Sequence, residues 1–223
     1  MLNRSLPALC AWQRVFIIVT ALDTFSNAFQ CSFTVTVLDH EPPQIQAPAM
    51  VSVGNDPGFC GAKVNFNVTA TDNCSVNVVC VPPSGSFFEK GTHLVTSVAT
   101  DSSGNSATNT FPVTVADIEP PSIHSILSTP TKLSPLNHKM VPVKLTVAAA
   151  DNCHLASTRI VEVKSNEAIN GHGDGNTSPD WVITGDLTLQ LRAERSGAGT
   201  GRSYTISVEA ADVDGNRSHQ STL

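Results

Sequence analysis

Short runs of alternating apolar and polar residues occur along the whole chain, separated by Gly, Pro, Asn or Asp. Residues 62–70, 75–80 and 93–99 alternate with period two, as β-strands with one buried face do. No stretch carries the roughly 3.6-residue period of an amphipathic helix. The pattern predicts an all-β fold built from tandem antiparallel immunoglobulin-like β-sandwiches.

One segment of this pattern is repeated. Residues 19–45 recur as residues 97–123, 78 positions later and without a gap, and 12 of the 27 aligned pairs are identical. The matched positions include an aspartate and an asparagine in a turn, a Val-Thr-Val strand and a closing Glu-Pro-Pro. A repeat of strand-like units predicts an array of extracellular modules.

The repeat also predicts the domain boundaries. Residues 39–118 form one complete unit between the two copies, and residues 19–38 are the C-terminal strands of a truncated preceding repeat. Residues 119–223 form a third unit, which shares the Asp-Asn-Cys and Asp-x-x-Gly-Asn landmarks but is expected to stop before its last strand. Residues 1–18 match neither copy and are interpreted as a leader or as read-through sequence.

The longest apolar run, residues 15–22, is too short to span a membrane, which takes about 20 residues. Two interpretations stay open for it. It could be the apolar region of a signal peptide, because Arg4 and Arg14 precede it. It could instead be a strand, because residues from Val19 onward align with the repeat copy that starts at Ser97. The alignment favours the strand.

Composition narrows the classes of function. The net charge is −6, only 14% of the residues are charged, and no Lys/Arg cluster is present. A nucleic-acid partner is therefore not expected. Six cysteines occur without a CxxC pair, which fits an exported module with one or two disulfides better than a zinc site. We expect an extracellular or cell-surface location.

Several short motifs resemble the HYR (hyalin repeat) family at that family's spacing: Cys60-Gly-Ala62, Thr71-Asp-Asn-Cys74, Pro83-Ser-Gly-Ser86, Ala99-Thr-Asp-Ser-Ser-Gly-Asn105 and the closing Pro120-Pro121. The resemblance covers residues 39–121, and residues 19–38 as the tail of another repeat. Residues 122–223 resemble a related immunoglobulin-like module of exported bacterial proteins. The resemblance implies an extracellular β-sandwich that acts in adhesion or domain spacing, without catalysis.

The cysteines depart from the family pattern. HYR repeats tend to carry cysteine where Ser97 and Asn109 stand here. Cys60 opens one predicted strand and Cys80 closes its predicted antiparallel neighbour, so both are expected at one end of the sandwich. We therefore predict a Cys60–Cys80 disulfide, with two buried thiols as the alternative.

Acidic and amide side chains recur in the predicted loops that face each incoming linker. Carboxylate and amide oxygens at a domain junction are the ligands that calcium prefers. Calcium is thus a candidate cofactor. The alternative is that these residues form Asx turns, in which the side chain bonds its own backbone. The candidate ligands are Asp39, Glu41, Asp72, Asp101 and Asn105 in one set, and Asp117, Glu119, Asp151, Asp212, Asp214 and Asn216 in the other.

These observations predict a non-enzymatic extracellular module, acting in adhesion or as a spacer in a larger exported protein. Its expected partners are other extracellular proteins or glycans, and neighbouring repeats of the parent protein. The alternative is a carbohydrate-binding accessory module of a secreted enzyme, with Trp181 and Tyr204 as a sugar-binding platform. No catalytic residues are expected, because no nucleophile with a supporting base is found.

Overall fold

A computed structural model describes residues 13–169, 177–197 and 201–223, and these contain β-strands but no helix. The chain forms two compact units. The first contains the chain before Asn55 together with Gly61–Ala116, and the second contains Asn55–Cys60 and Asp117–Leu223. The all-β prediction is confirmed. No helix in the described ranges is long and apolar enough to cross a membrane.

The first unit begins with a separate hairpin of β1 (Gln13–Leu22) and β2 (Ala28–Val37), in which Leu22 pairs with Ala28 and Gln13 with Val37. Residues 15–22 thus lie in a strand, as the repeat alignment favours. Of the predicted leader 1–18, residues 1–12 lie outside the described residues and the remainder belongs to β1.

The rest of the first unit is a two-layer sandwich. One layer is a four-stranded sheet in the order β4-β10-β9-β7, in which β4 runs parallel to β10. The other layer consists of the pairs β3-β6 and β5-β8. The strands are β3 (Gln44–Gln46), β4 (Val51–Gly54), β5 (Gly61–Val64), β6 (Thr69–Thr71), β7 (Val76–Val81), β8 (Ser86–Glu89), β9 (Gly91–Asp101) and β10 (Ser106–Ala116).

Alternating side chains build the core of this sandwich. Val95 and Ala99 on β9 point inward, and Phe111 and Val113 on β10 do the same. Val64, Phe88 and Ala62 meet them from the opposite layer. The period-two pattern of the sequence therefore corresponds to burial of one face of each long strand.

The described residues of the second unit form seven strands in the two-sheet arrangement of an immunoglobulin constant domain. One sheet has the order β11-β12-β15-β14 and the other the order β13-β16-β17. Val143, Leu145, Leu189 and Leu191 of the first sheet pack against Ile160, Val163, Ile206 and Val208 of the second. The strands are β11 (Ser122–Thr129), β12 (Met140–Ala150), β13 (Leu155–Ser165), β14 (Trp181–Gly185), β15 (Thr188–Arg192), β16 (Tyr204–Asp212) and β17 (Arg217–Thr222).

The expectation that the third unit stops before its last strand is wrong. β17 pairs antiparallel with β16: Arg217 lies opposite Ala211, and Thr222 lies opposite Ile206. β17 is therefore the last strand of the third unit. The expectation assumed that the last strand begins several residues after the turn asparagine, whereas β10 starts at Ser106, directly after Asn105, and β17 starts at Arg217, directly after Asn216.

Residues Asn55–Cys60, between β4 and β5, belong to the second unit. Glu119 holds this segment, because its Oε2 accepts hydrogen bonds from the amide of Gly58 at 2.7 Å and from Nδ2 of Asn55 at 3.3 Å. Asn55 in turn accepts a bond from the amide of Ile118 at 2.9 Å. The domain boundary is therefore not a single point in the sequence.

Candidate functional site

The same turn closes the hairpin of each sandwich. Asp101 Oδ1 accepts hydrogen bonds from the amides of Ser103 and Asn105, both at 2.8 Å, and its Oδ2 accepts one from Asn105 Nδ2 at 2.8 Å. Asp212 makes the same bonds with Asp214 and Asn216. The Asx-turn interpretation therefore describes these two aspartates and their asparagines.

Hydrogen bonding keeps the Asp212 carboxylate charged in a buried position. Burial raises the pKa of Asp212, but the side chain and amide of Asn216 and the amide of Asp214 together lower that pKa below its ordinary value. A buried carboxylate that stays ionised needs such donors, because desolvation penalises the charged form.

The asparagine of each turn also reaches the incoming linker. Asn105 Nδ2 donates to the backbone oxygen of Asp39 at 3.3 Å, and Asn216 Nδ2 donates to that of Asp117 at 3.2 Å. These contacts bring one linker aspartate next to the loops of each unit. Asp39 and Asp117 are 78 positions apart and thus occupy the same place in the repeat.

In the first unit, Oδ2 of the linker aspartate Asp39 has hydrogen-bond donors. Asp39 Oδ2 accepts a hydrogen bond from the thiol of Cys74 at 3.0 Å and another from the hydroxyl of Ser103 at 3.2 Å. The bond from Cys74 is the main reason why the pKa of Asp39 lies below its ordinary value. Asp39, Asp72 and Cys74 form one group whose possible ligand atoms all lie within 4.8 Å of one another.

In the second unit three carboxylates converge. One oxygen each from Asp117, Asp151 and Asp212 lies within 4.8 Å of the others. Asp117 is only 6% exposed. Its Oδ2, and Oδ2 of Asp151, are buried and have no hydrogen-bond partner in the described part of the chain.

The difference between the two groups has two causes in the sequence. Cys153 stands where Cys74 stands in the first unit, but it forms a disulfide and has no thiol proton to donate. Asp214 stands where Ser103 stands, so a carboxylate replaces a hydroxyl donor. Asp117 therefore lacks the donors that Cys74 and Ser103 supply to Asp39.

The remaining acidic candidate ligands lie outside the two groups. The amides of Glu41 and Glu119 donate to Asp39 and Asp117, while the Glu119 carboxylate holds the segment Asn55–Cys60. The acidic residues predicted as ligands but found outside the groups are Glu41, Asp101, Glu119 and Asp214. The side-chain amides of Asn105 and Asn216 donate to Asp101 and Asp212.

The predicted Cys60–Cys80 disulfide is corrected by the structure, in which Cys60 is bonded to Cys153 with Cα atoms 4.8 Å apart. Cys60 directly precedes β5, which pairs with β8, whereas Cys80 lies on β7, which pairs with β9 in the other layer. Cys80 is a thiol. Cys153 is the one cysteine beyond residue 80, so it has no partner among residues 117–223, and this count was the available signal.

The predicted aromatic platform is not formed. Tyr204 is buried, and its hydroxyl donates to the backbone oxygen of Arg192 at 2.9 Å. Trp181 packs edge-to-face on Tyr204, with ring centroids 6.3 Å apart, and contacts the core of the second unit. These rings serve packing.

Sequence reasoning missed a buried ionic cluster in the second unit. The guanidinium of Arg202 is 2% exposed and lies 2.8 Å from Asp180 and 2.9 Å from Glu194, whose side chains are fully buried. Burial lowers the pKa of Arg202, but Tyr204 and the neighbouring carboxylates raise it above its ordinary value, so the guanidinium stays charged. The charged residues of this cluster lie far apart in the sequence: Glu167, Asp180, Glu194 and Arg202.

The fold and the two turns define a class of protein: β-sandwich modules, each with an acidic turn whose asparagine bonds the incoming linker. Residues 38–115 match the family model of the HYR domain. The match coincides with the sandwich of the first unit and confirms the resemblance stated for residues 39–121. The resemblance of residues 122–223 to bacterial modules stays a prediction.

Curated relatives agree with this assignment. Hyalin of Strongylocentrotus purpuratus is 28% identical over 207 residues, which cover 89% of this chain and 16% of that protein. Hyalin of Lytechinus variegatus is 33% identical over 109 residues, covering 46% of the chain and 21% of that protein. The chain thus spans less than a quarter of either relative. The alignment with the Strongylocentrotus purpuratus protein is longer than the segment 38–115 that matches the HYR model, so it extends beyond that segment.

Another relative has a different domain composition. The Rattus norvegicus protein named "Sushi, von Willebrand factor type A, EGF and pentraxin domain-containing protein 1" is 39% identical over 102 residues, which cover 44% of this chain and 3% of that protein. Among solved structures, protocadherin gamma B7 domains 1–4 align over 94% of this chain and 56% of that one, with a TM-score of 0.38 and 11% identity. The fold is defined by the strand pairing within each unit.

Proposed function

We propose that the chain is a non-enzymatic, extracellular part of a larger protein, in which its sandwiches act in adhesion or as structural spacers. The HYR domain and the similarity to hyalin support this proposal. The Cys60–Cys153 disulfide supports an oxidising, extracellular location, because such bonds persist outside the cytosol. Partners would be other extracellular proteins or glycans and neighbouring repeats.

We further propose that the second unit binds one calcium ion between Asp117, Asp151 and Asp212. The observation that carries this proposal is that Oδ2 of Asp117 has no donor in the described part of the chain, whereas Oδ2 of its equivalent Asp39 accepts bonds from Cys74 and Ser103. A buried carboxylate oxygen without a donor is costly unless a cation replaces the missing hydrogen bonds.

Electrostatics favours the same conclusion. Two unit charges 4 Å apart repel by about 4 kcal/mol at an effective dielectric constant of about 20. Three carboxylates within 4.8 Å of one another contain three such pairs. A divalent cation would convert this repulsion into attraction.

The chemistry of the group fits calcium. Carboxylate and carbonyl oxygens are hard ligands, and calcium takes six to eight of them in flexible geometry. All three candidate side chains supply oxygen, whereas the first-unit group contains the sulfur of Cys74. We therefore assign calcium to the second unit and hydrogen bonds to the first.

The spacer function is tested by stretching the full chain as a single molecule, in calcium and in excess chelator. A spacer stabilised by calcium should unfold its second unit at higher force in calcium, because an ion bound to the folded state alone stabilises it. The Asp117→Asn variant should lose the difference, and Asp39→Asn, its matched control, should keep it. Equal forces in calcium and chelator for the unmodified chain would contradict a calcium-stabilised spacer.

Adhesion is tested separately, with beads that carry the full chain and cultured cells. Attachment that survives glycosidase treatment of the cells but not protease treatment would identify a protein partner, and the reverse would identify a glycan. Beads that attach no better than albumin-coated beads would remove adhesion and leave the spacer function.

A further inference from the structure

The hairpin β1-β2 has the geometry of the last hairpin of an HYR sandwich. Gln13 pairs with Val37 in this hairpin, and the residues 78 positions later, Gly91 and Val115, pair in β9-β10. Likewise, Leu22 pairs with Ala28 as Thr100 pairs with Ser106. The turn is also the same, because Asp23 bonds Asn27 as Asp101 bonds Asn105. Both hairpins therefore have the same register and turn.

The two hairpins differ in what covers them. Phe111 is 1% exposed and Val113 is fully buried, whereas their equivalents Phe33 and Val35 are 50% and 38% exposed. Ile17 and Ala21 take the places of the buried Val95 and Ala99. The apolar face of β1-β2 thus has the residues of an interior face but is exposed.

The first unit shows what fits such a face. Ala62, Val64 and Phe88, from β5 and β8, pack against the inner face of β9-β10. At the edges, β4 pairs parallel with β10 and β7 pairs antiparallel with β9. Among the described residues, β1 and β2 pair only with each other, so both outer edges present backbone donors and acceptors.

We infer that β1-β2 is a docking surface for the first six strands of an HYR sandwich, a segment with the character of residues 39–90. Such a segment supplies an apolar cover for one face and a strand for each edge, in the register that β3–β8 use with β9-β10. A second copy of this chain fits less well, because its own β9-β10 already occupies its β3–β8 layer. Docking would complete a further sandwich.

The test extends the full chain by inserting a second copy of residues 38–90 immediately before Gln13, with the inserted cysteines replaced by serine. This insertion reproduces the order in which Lys90 precedes Gly91. Amide hydrogen exchange is then measured for β1 and β2 in the extended and the present chain. Docking should slow exchange at these amides by on the order of a hundredfold, toward the protection of β9-β10.

Two variants of the extended chain form a matched pair. Phe33→Asp places a charge on the inner face and should abolish the gain in protection, whereas Thr34→Asp places the same charge on the outer face and should preserve it. Equal loss in both variants would contradict docking through the Phe33 face.

A measurement in trans covers the case in which the inserted copy does not fold. The present chain is titrated with the separate 39–90 polypeptide, carrying the same serine replacements, and the amide resonances of β1 and β2 are followed. Saturable shifts of resonances that are confined to β1 and β2 support docking. The proposal is overturned if the extended chain shows no added protection of β1 and β2 and the separate polypeptide causes no shifts. It is also overturned if the present chain forms a dimer that persists after the extension and is broken by Phe33→Asp.

Discussion

Cys60 and Cys153 form a disulfide across a sequence separation of 93 residues, and this bond leaves Cys153 without the proton that Cys74 donates to Asp39. The bond therefore has two consequences. It closes a long loop of the chain, and it removes a donor from the carboxylates around Asp117. The central claim, a calcium ion in the second unit, depends on the second consequence.

Removing the disulfide should destabilise the protein. A loop of 93 residues corresponds to roughly 4–5 kcal/mol on the chain-entropy model. The double variant Cys60→Ser/Cys153→Ser should lower the free energy of unfolding by up to that amount, measured by chemical denaturation. Cys80→Ser is the matched control and should change it by less than about 1 kcal/mol. A large effect of Cys80→Ser alone would support the Cys60–Cys80 pairing instead.

Single-molecule stretching gives an independent measure of the same bond. Without reductant, the 93-residue loop stays closed when the chain unfolds. Reductant should lengthen the fully extended chain by about 300 Å, since a residue spans at most about 3.3–3.6 Å. A gain near 70 Å, as expected for a loop of about 20 residues, would indicate a bond between Cys60 and Cys80.

Arg202 should be among the most sensitive positions of the second unit. Arg202→Met leaves Asp180 and Glu194 as buried carboxylates without their shared cation. Breaking a buried pair in this way costs about 3–5 kcal/mol. The exposed Arg195→Met is the control and should stay within about 0.5 kcal/mol in thermal or chemical unfolding. Similar losses in the two variants would show that the cluster does not stabilise the fold.

Stability should fall in acid partly because of Glu209. A hydrogen bond from Arg217 lowers the pKa of Glu209 below its ordinary value of 4.5, and Arg159 acts in the same direction against the effect of burial. A lowered pKa means that the stabilisation is fully present above pH 4.5 and is lost as the pH falls through the lowered value.

The measurement is the free energy of unfolding between pH 7 and pH 2 for the unmodified chain and for Glu209→Gln. The variant should be less stable at pH 7, and its difference from the unmodified chain should shrink in acid. Glu162→Gln, on an exposed side chain of the same unit, is the control. A difference that stays constant down to pH 2 would contradict the ion-pair explanation.

Two equivalent phenylalanines should respond differently to truncation. Phe111→Ala removes a ring from the core and should cost about 3–5 kcal/mol. Phe33→Ala, at the same place in the repeat but half exposed, should change the free energy of unfolding by less than about 1 kcal/mol. A large loss at Phe33 in the present chain would mean that its face is already covered.

Local features of this chain were predictable from sequence, and long-range pairings were not. The alternation around Phe111 and Val113 predicted strands with one buried face, and the repeat located the turns at Asp101 and Asp212. Cys60 was assigned to the wrong partner because a neighbour in sequence was assumed to be a neighbour in the fold. The ion pairs of Arg202 had no local signal, since Glu167 and Asp180 lie 35 and 22 residues away from it in the sequence.

The candidate ligands show the same limit. Sequence identified eleven acidic and amide residues, and the structure brings together Asp117, Asp151 and Asp212 from them, with Asp39 and Asp72 joined by Cys74 in the first unit. Glu119 was predicted as a ligand because of its charge, yet its carboxylate bonds the amide of Gly58. Which carboxylate lacks a donor depends on packing, so the pattern of residue types was not enough.

Titration calorimetry of the full, oxidised chain with calcium chloride tests the calcium site of the second unit directly, with Asp117→Asn and Asp39→Asn as matched variants. We expect one calcium ion to bind per chain, with binding lost in Asp117→Asn and retained in Asp39→Asn. No binding by the unmodified chain, or equal binding by the two variants, would contradict it.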